Sequence, residues 1–182
     1  DTASIKTSLD VLALKHERIA RALAQVGYPE ERRREHSFAT LARIVVGQQI
    51  SVSAAASVTT KLLASLGGDL TAEAVLRADE TTLRSAGLSR QKVEYMRCLA
   101  TAEATHVLSL EALPSLSDDE AIRAITQIKG FGDWSAQMYL MFSLGRPNIW
   151  PVGDLAVREG FKRIHGLEAR PTIGQLGALG EA

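Results

Sequence analysis

The feature that most constrains this chain is a short link, Lys129–Gly132, between two segments of helical character. Its second and fourth residues are glycines, which tolerate the positive φ that so tight a turn can demand. The small residues Ser135 and Ala136 follow, and they allow two helices to pack closely. Backbone N–H groups at the start of the second helix have no helical partner, so they can bind a phosphate without a cationic side chain. The link predicts an anion-binding helical hairpin, although an ordinary packing corner fits the spacing equally well.

The rest of the chain has the pattern of an all-α protein. Apolar residues recur at spacings of three and four in segments 9–23, 41–45 and 58–63, and no segment alternates as a strand would. Glycines at positions 27, 67, 68 and 87 close helical segments. The predicted N-caps are Thr71, Asp79, Ser89 and Ser117, the last in a capping box with Glu120. Short helices and short turns predict helical bundles, with the charged stretch 30–35 as a connector or solvated helix face.

Composition excludes several classes of partner and site. The 182 residues are 46% hydrophobic, which is too apolar for disorder, and no run reaches the roughly 18 apolar residues of a membrane span. We therefore expect no membrane partner and a cytoplasmic location. The single cysteine, Cys98, cannot form an internal disulfide or ligate an iron–sulfur cluster, and no histidine pairs with a second ligand at helical spacing. Because 21 basic residues balance 21 acidic ones, any contact with a polyanion has to be local.

Asp154 is the second chemical signal. Trp150, Pro151 and Gly153 predict a tight turn that delivers this aspartate to the start of a further helix. Residue type alone favours an N-cap with no other role. The predicted phosphate-binding turn and the Asp154 carboxylate nevertheless lie close together in the sequence.

The segments GFGDWSA, which starts at Gly130, and PVGDLAV, which starts at Pro151, resemble the helix-hairpin-helix superfamily of DNA glycosylases. They are most similar to its alkyladenine (3-methyladenine type II) members, and the resemblance extends from about Phe38 to Gly166. It implies that Asp154 is catalytic. The residues that it assigns to a DNA-binding hairpin are Lys129, Gly130, Phe131 and Gly132.

The same resemblance implies a monovalent cation, Na⁺ or K⁺, held by main-chain carbonyls of the hairpin. The matching carbonyls belong to Thr126, Ile128 and Phe131. Such an ion would bridge the protein and a phosphate, which would help a chain without net charge to hold DNA. No cofactor for catalysis and no iron–sulfur cluster are expected.

The implied chemistry is hydrolysis of an N-glycosidic bond after the nucleotide has been everted from the duplex. The sugar becomes positively charged in the transition state, and a carboxylate stabilises that charge. A base alkylated at a ring nitrogen is already cationic and leaves readily, so a strong general acid is less necessary. Asp154 alone could suffice, whether it stabilises the sugar cation or orients the attacking water.

Two further stretches resemble family segments near DNA. Residues 46–52, VGQQISV, resemble the loop that carries a wedge residue into the gap left by the everted base. Gln49 matches the wedge position and Gln48 lies beside it, although relatives insert a bulky apolar residue at the wedge position. The alternative is that Gln48 and Gln49 are simply two polar residues at the end of a helix. In the stretch 87–92, the residues assigned to the DNA backbone are Ser89, Arg90 and Lys92. A helix N-cap at Ser89, followed by basic side chains that are merely exposed to solvent, fits the sequence equally well.

Two tryptophans are assigned to the base pocket. Trp134 stands where the lyase members of the superfamily carry a nucleophilic lysine, and an indole cannot form a Schiff base. This predicts a monofunctional enzyme, with the Trp134 ring stacked on an electron-poor alkylated base, unless that ring lies in the core. Trp150 would line the pocket or anchor its turn.

We therefore expect an all-α monomer of two small helical subdomains with a cleft between them. Residues 37–145 would form a helical bundle that ends in the hairpin, and residues 1–36 with 146–182 a second subdomain that carries Asp154. A minimal form without a preceding β domain is expected, and family members continue past the position of Ala182 with a further helix.

The predicted function is excision of alkylated bases of the 3-methyladenine and 7-methylguanine type from duplex DNA, in base excision repair near the nucleoid. Two alternatives stay open. One is a superfamily glycosylase for oxidised or mismatched bases, and the other is a non-catalytic helix-hairpin-helix module that only binds DNA.

Overall fold

The structure is a computed structural model that describes residues 1–180. The chain folds into two compact units: Arg34–Ile149, and Asp1–Arg33 together with the segment that begins at Trp150. The predicted bundle, 37–145, lies inside the first unit, and residues 181 and 182 of the predicted second subdomain lie outside the described residues. In the described part every regular element is helical and none is a strand, which confirms the predicted all-α class.

Eleven α-helices follow one another in residues 1–180. They are α1 (Thr2–Lys15), α2 (Glu17–Val26), α3 (Phe38–Gly47), α4 (Val52–Ser65), α5 (Ala72–Arg77), α6 (Glu80–Ser85), α7 (Arg90–Ala104), α8 (Asp118–Thr126), α9 (Asp133–Tyr139), α10 (Leu155–His165) and α11 (Ile173–Gly180). A 3₁₀ turn, Leu113–Ser115, precedes α8, and a π-helical turn, Leu140–Leu144, continues α9. Residues 30–35 form an exposed, non-helical connector between α2 and α3.

Helix α7 organises the larger unit, because α3, α5 and α6 all pack against it. Its residues Val93, Met96 and Leu99 recur every three positions and are buried, so they form one apolar face. Complete burial of each such side chain contributes roughly 1.5–3 kcal/mol. The other fully buried large side chains of this unit are Leu41, Val45, Leu62, Leu83, Leu108, Leu113, Ile125, Tyr139 and Leu140.

Local capping sets where these helices begin. Each of the four predicted N-caps accepts a hydrogen bond from the backbone N–H three residues later, and Ser117 and Glu120 form the predicted capping box. These predictions are confirmed, and each cap contributes about 1 kcal/mol. The glycines at 27, 67, 68 and 87 have φ of 76°, 83°, 103° and 103°, the left-handed geometry that ends a helix.

Helix α8 ends earlier than its apolar pattern predicts. The apolar spacing of Ile125 and Ile128 predicts a helix from about Asp118 to Ile128, but the helix stops at Thr126 and the chain tightens, so that the Ile128 N–H donates to the Ile125 carbonyl at 3.1 Å. This i→i−3 bond starts the turn into α9. The side chain of Ile128 is still buried, which explains why it fits the helical pattern.

The smaller unit is less deeply packed. Helix α2 contacts α1 and α10, and no residue of these three helices is fully buried. The Arg158 side chain donates to the Pro171 carbonyl at 2.9 Å, and Arg18 donates to the His165 carbonyl. Among the helices of residues 1–180, none combines the length and the apolar character needed to cross a bilayer.

The turn between α8 and α9 depends on a glycine for two reasons. Gly130 has φ of 95°, which L side chains rarely adopt. A Cβ atom at this position would lie 2.2 Å from Cγ of the Tyr95 ring on α7. The backbone of the turn therefore rests directly on an aromatic ring, and only glycine allows it.

We predict that Gly130→Ala lowers the free energy of unfolding by about 3 kcal/mol or more, since the methyl group must displace Tyr95 and adopt a strained φ. Gly132→Ala is the matched control, because φ is −102° and a Cβ there meets nothing within 4 Å. That control should cost less than about 1 kcal/mol. Denaturant unfolding measures both, and equal losses would contradict the close approach.

Candidate functional site

The hairpin turn keeps backbone donors available while apolar side chains hold it in place. Within residues 1–180, the N–H groups of Gly130 and Gly132 donate no hydrogen bond, whereas the Phe131 N–H donates to the Ile128 carbonyl at 3.0 Å. The side chains of Phe131 and Ile128 are buried. Phe131 therefore serves the predicted DNA-binding hairpin through its backbone. The two glycine amides have the capacity to bind a phosphate oxygen.

Lys129, the one cationic residue of this predicted hairpin, is already paired. Its ammonium lies 2.5 Å from a carboxylate oxygen of Glu94, and this hydrogen bond raises the pKa of Lys129. Both side chains are largely exposed, so the pair adds little to stability. The nearby acid offsets the lysine charge, which leaves the backbone amides as the local attraction for an anion.

Of the three carbonyls predicted to hold a cation, that of Thr126 belongs to the last residue of α8, and those of Ile128 and Phe131 lie in the turn that follows. The last carbonyls of a helix lack intrahelical partners and carry the negative end of its dipole, which suits a hard monovalent cation. The Ile128 carbonyl accepts one hydrogen bond, from Phe131, and a carbonyl oxygen has a second lone pair for an ion. The donor set of Thr126, Ile128 and Phe131 thus fits an oxygen-ligated alkali cation.

Gln48 is brought to the hairpin. Its side-chain Nε2 donates to the Gly130 carbonyl at 2.8 Å and to the hydroxyl of Ser135 at 3.3 Å. Ser135 is buried in the first turn of α9, so one amide spans both the turn and the helix that follows it. Sequence reasoning placed Gln48 beside a wedge and did not foresee this contact.

Gln49 has the exposure that a wedge requires. Its φ of 58° is left-handed, a conformation that costs a non-glycine residue of order 1 kcal/mol. Its side chain is exposed, as are those of Ile50 and Val52 after it. The loop between α3 and α4 therefore holds a polar residue with apolar neighbours at the position predicted to fill the gap.

In the stretch 87–92, Ser89 and Lys92 make hydrogen bonds within the protein, whereas Arg90 is exposed to solvent. Ser89 caps α7 by accepting from the Lys92 N–H at 3.2 Å, and the Lys92 ammonium donates to the Val46 carbonyl at 2.7 Å. Partial burial lowers the pKa of Lys92. Arg90 is exposed at the start of the helix. Of the three residues predicted to touch the DNA backbone, Lys92 is already engaged with the end of α3.

Trp134 lies in the first turn of α9, immediately after the glycine turn. Its side chain is 38% exposed, which excludes the interpretation as a fully buried core tryptophan. Its neighbours Ser135 and Ala136 are buried, so the indole is carried on a firmly packed helix. The indole is therefore held on a packed helix and is in part accessible to solvent.

Asp154 belongs to the smaller unit and caps α10. The turn before it closes with the Asp154 N–H donating to the Pro151 carbonyl at 2.9 Å. The carboxylate oxygen Oδ1 accepts from the Val157 N–H, also at 2.9 Å. The predicted turn and cap are therefore both present.

Trp150 anchors the same turn. Its indole N–H donates to the Leu176 carbonyl of α11 at 3.0 Å, and a Cβ on Gly180 would lie 2.1 Å from the indole nitrogen. The indole N–H of Trp150 is thus already hydrogen-bonded within the smaller unit. Between the two predicted roles, base pocket or anchor, these contacts favour the anchor.

Sequence reasoning missed two residues that support the hairpin. Tyr95 fills the space beneath Gly130, and His36 links α9 to the loop after α7, with Nδ1 2.8 Å from the Tyr139 hydroxyl and Nε2 2.8 Å from the Leu110 carbonyl. Because a carbonyl can only accept, Nε2 of His36 is the donor to Leu110. Burial raises the pKa of Tyr139, which keeps its hydroxyl protonated. Neither residue has a sequence signal, since both act through distant partners.

Comparisons with known proteins agree with these motifs. A family model described as HhH-GPD superfamily base excision DNA repair protein matches residues 42–179. DNA-3-methyladenine glycosylase 1 of Schizosaccharomyces pombe is 32% identical over 142 residues, 76% of this chain. A structure of S. pombe 3-methyladenine DNA glycosylase in complex with abasic DNA matches with a TM-score of 0.83 at 31% identity, covering 91% of this chain and 84% of that one.

The chain spans 62% of the length of the curated S. pombe relative. It spans 47% of a putative DNA-3-methyladenine glycosylase of Bacillus subtilis, to which it is 29% identical over 136 residues, 71% of this chain. The family match nevertheless includes both the glycine turn and the capping aspartate. The chain therefore belongs to the HhH-GPD superfamily of base excision DNA repair proteins, as its sequence motifs predicted.

Proposed function

We propose that this protein is a monofunctional DNA glycosylase that removes alkylated bases, of the 3-methyladenine and 7-methylguanine type, from duplex DNA. It everts the damaged nucleotide, hydrolyses its N-glycosidic bond and leaves an abasic site for base excision repair. The proposal rests on a hairpin in which, within residues 1–180, the N–H groups of Gly130 and Gly132 donate no hydrogen bond. An aspartate at the start of a helix, Asp154, follows this hairpin in the sequence. Similarity to proteins named 3-methyladenine glycosylases supports the choice of substrate.

The hairpin would bind one phosphate of the DNA backbone. Gly130 and Gly132 offer N–H groups, and a monovalent cation on the carbonyls of Thr126, Ile128 and Phe131 would supply positive charge beside them. This arrangement suits a chain with no formal net charge, because attraction is created only where the phosphate binds.

Trp134 favours alkylated bases and a hydrolytic mechanism. A cationic base stacked on an indole gains about 0.5–2 kcal/mol over a neutral one. Trp134 also has no amine, so it cannot attack the sugar and cleave the strand as a lysine does. Both properties argue against a glycosylase–lyase for oxidised bases.

Asp154 would supply the charge that the transition state needs. Its Oδ1 is held by the α10 N-terminus, which fixes the orientation of the carboxylate. Positive charge develops on the sugar as the base departs, and a positioned carboxylate stabilises it or orients the attacking water.

We predict that Asp154→Asn reduces the release of bases from methylated duplex by about a hundredfold or more, while affinity for duplex with an abasic site changes little. Asparagine is also a good N-cap, so the unfolding temperature should be retained. Asp79→Asn, at another capping aspartate, is the matched control and should leave release unchanged. Undiminished release by the Asp154 variant would show that Asp154 is not the catalytic carboxylate, whereas a wild-type protein that binds duplex and releases no base would favour the non-catalytic module.

Trp134→Ala should lower kcat/KM for a cationic methylated base by about three- to thirtyfold, the loss expected for one cation–π contact. Trp134→Phe should retain most of the activity because it keeps an aromatic face. A substrate panel of methylated, oxidised and mismatched duplexes gives the comparison. Equal losses on neutral and cationic bases would argue against stacking on a charged ring.

We further predict that replacing Na⁺ and K⁺ with tetramethylammonium, at constant ionic strength, weakens duplex binding, since this ion is too large for the carbonyls of the turn. Returning K⁺ should restore the affinity. Fluorescence anisotropy with a labelled abasic duplex measures it, and Gly130→Ala should reduce the dependence on K⁺. Unchanged affinity in tetramethylammonium would contradict the cation site.

A further inference from the structure

Gln48 is the only side chain in residues 1–180 that hydrogen-bonds the carbonyl of Gly130. That carbonyl can only accept, so the atom at 2.8 Å is the amide NH₂ of Gln48. The same nitrogen reaches the Ser135 hydroxyl at 3.3 Å. One side chain therefore links the end of α3 to the hairpin turn and to the first turn of α9.

This contact orients the turn. The peptide between Gly130 and Phe131 is held at both ends, its carbonyl by Gln48 and its N–H by the Ile128 carbonyl. The peptides on either side of it carry the undonated N–H groups of Gly130 and Gly132. Because successive peptide planes share a Cα atom, fixing the central peptide restricts the directions of the two flanking N–H groups.

The same residue begins the loop that carries Gln49. The Gln48 N–H donates to the Val45 carbonyl at 3.3 Å, and the ammonium of Lys92 holds the Val46 carbonyl at 2.7 Å. Gln49 follows directly, exposed and in a left-handed conformation. The loop is therefore tied to α7 on one side and to the hairpin on the other, immediately before the residue at the wedge position.

We propose that Gln48 is a positioning residue that couples the loop between α3 and α4 to the hairpin, so that Gln49 keeps a fixed offset from the phosphate-binding amides. This role rests on the proposed function, since it presumes that the hairpin and the loop both engage DNA. Its consequence is an energetic coupling between two contacts with DNA: the insertion of Gln49 into the gap left by the everted base, and the binding of a backbone phosphate by the hairpin. Loss of the Gln48 amide should weaken both together.

A pH-dependent variant tests the hydrogen bond itself. In Gln48→Glu, the ionised carboxylate at pH 8 cannot donate to the Gly130 carbonyl, whereas the protonated acid, which predominates only below about pH 4.3 for an ordinary glutamate, can. Relative to wild type, affinity for an abasic-site duplex should be about tenfold weaker at pH 8 and recover as the glutamate protonates. Gln25→Glu, an exposed position on α2, is the charge-matched control and should follow wild type at every pH.

Gln48→Met separates the lost donor from the added charge. This neutral variant of similar size should also lose about tenfold at pH 8, without recovery at low pH. If the methionine variant binds like wild type, charge repulsion explains the glutamate result and the positioning role is wrong.

A double-mutant cycle with Gln49→Ala tests the coupling. In the wild-type background, Gln49→Ala should weaken binding to the abasic duplex severalfold; in the Gln48→Met background, it should have little further effect. Additive losses would overturn the coupling.

Amide hydrogen exchange keeps this inference distinct from the proposed function. In the free protein, Gln48→Met should speed exchange by about tenfold at the hydrogen-bonded amides of Phe131 and Ile50, with the core of α7 unaffected. A wild-type protein that binds no DNA and releases no base would refute the proposed function. Unchanged exchange at Phe131 in the variant would refute the positioning role, whatever the enzyme does.

Discussion

A backbone turn that lies against an aromatic ring leaves no room for a side chain, and here that constraint falls on Gly130, whose Cβ position is filled by Tyr95. The hairpin follows from this contact. Tyr95 supports the turn from α7, Gln48 holds its carbonyl from the end of α3, and buried Phe131 and Ile128 fasten its flanks. A turn held from several sides can present N–H groups without reorganisation when a ligand arrives, which is the physical basis of preorganised binding.

Several basic side chains of the larger unit make hydrogen bonds or ion pairs within the fold. Lys92 and Arg97 donate to the carbonyls of Val46 and Ala78, and Arg146 donates to two carbonyls near the start of α8. Lys129 is paired with an acid. Several basic side chains therefore hold the fold together rather than form a cationic surface. Backbone amides and a bound cation would then carry the attraction for phosphate, consistent with zero formal net charge.

Asp154 is a capping residue, and the contacts that hold it would also suit the chemistry proposed for it. The tight turn closed by Pro151 and the cap on Val157 orient the carboxylate through backbone contacts. Trp150 ties the same turn to α11 through its indole N–H. A carboxylate held this way needs no neighbouring acid to fix its rotamer, which is compatible with a mechanism that uses one acidic residue.

Local sequence patterns were enough to predict the helical class, the four N-caps, the glycines that end helices and the capping role of Asp154, because these arise from interactions within about four residues. The end of α8 was predicted two residues late, since buried Ile128 continues the apolar pattern into the turn. The side chains that support the candidate site could be identified only from the folded chain. Gln48 meets Gly130 across 82 positions of sequence, and Tyr95 underlies the turn from another helix. A glutamine and a tyrosine have the same local pattern whether they face solvent or a partner, so their roles depend on packing that no local spacing encodes.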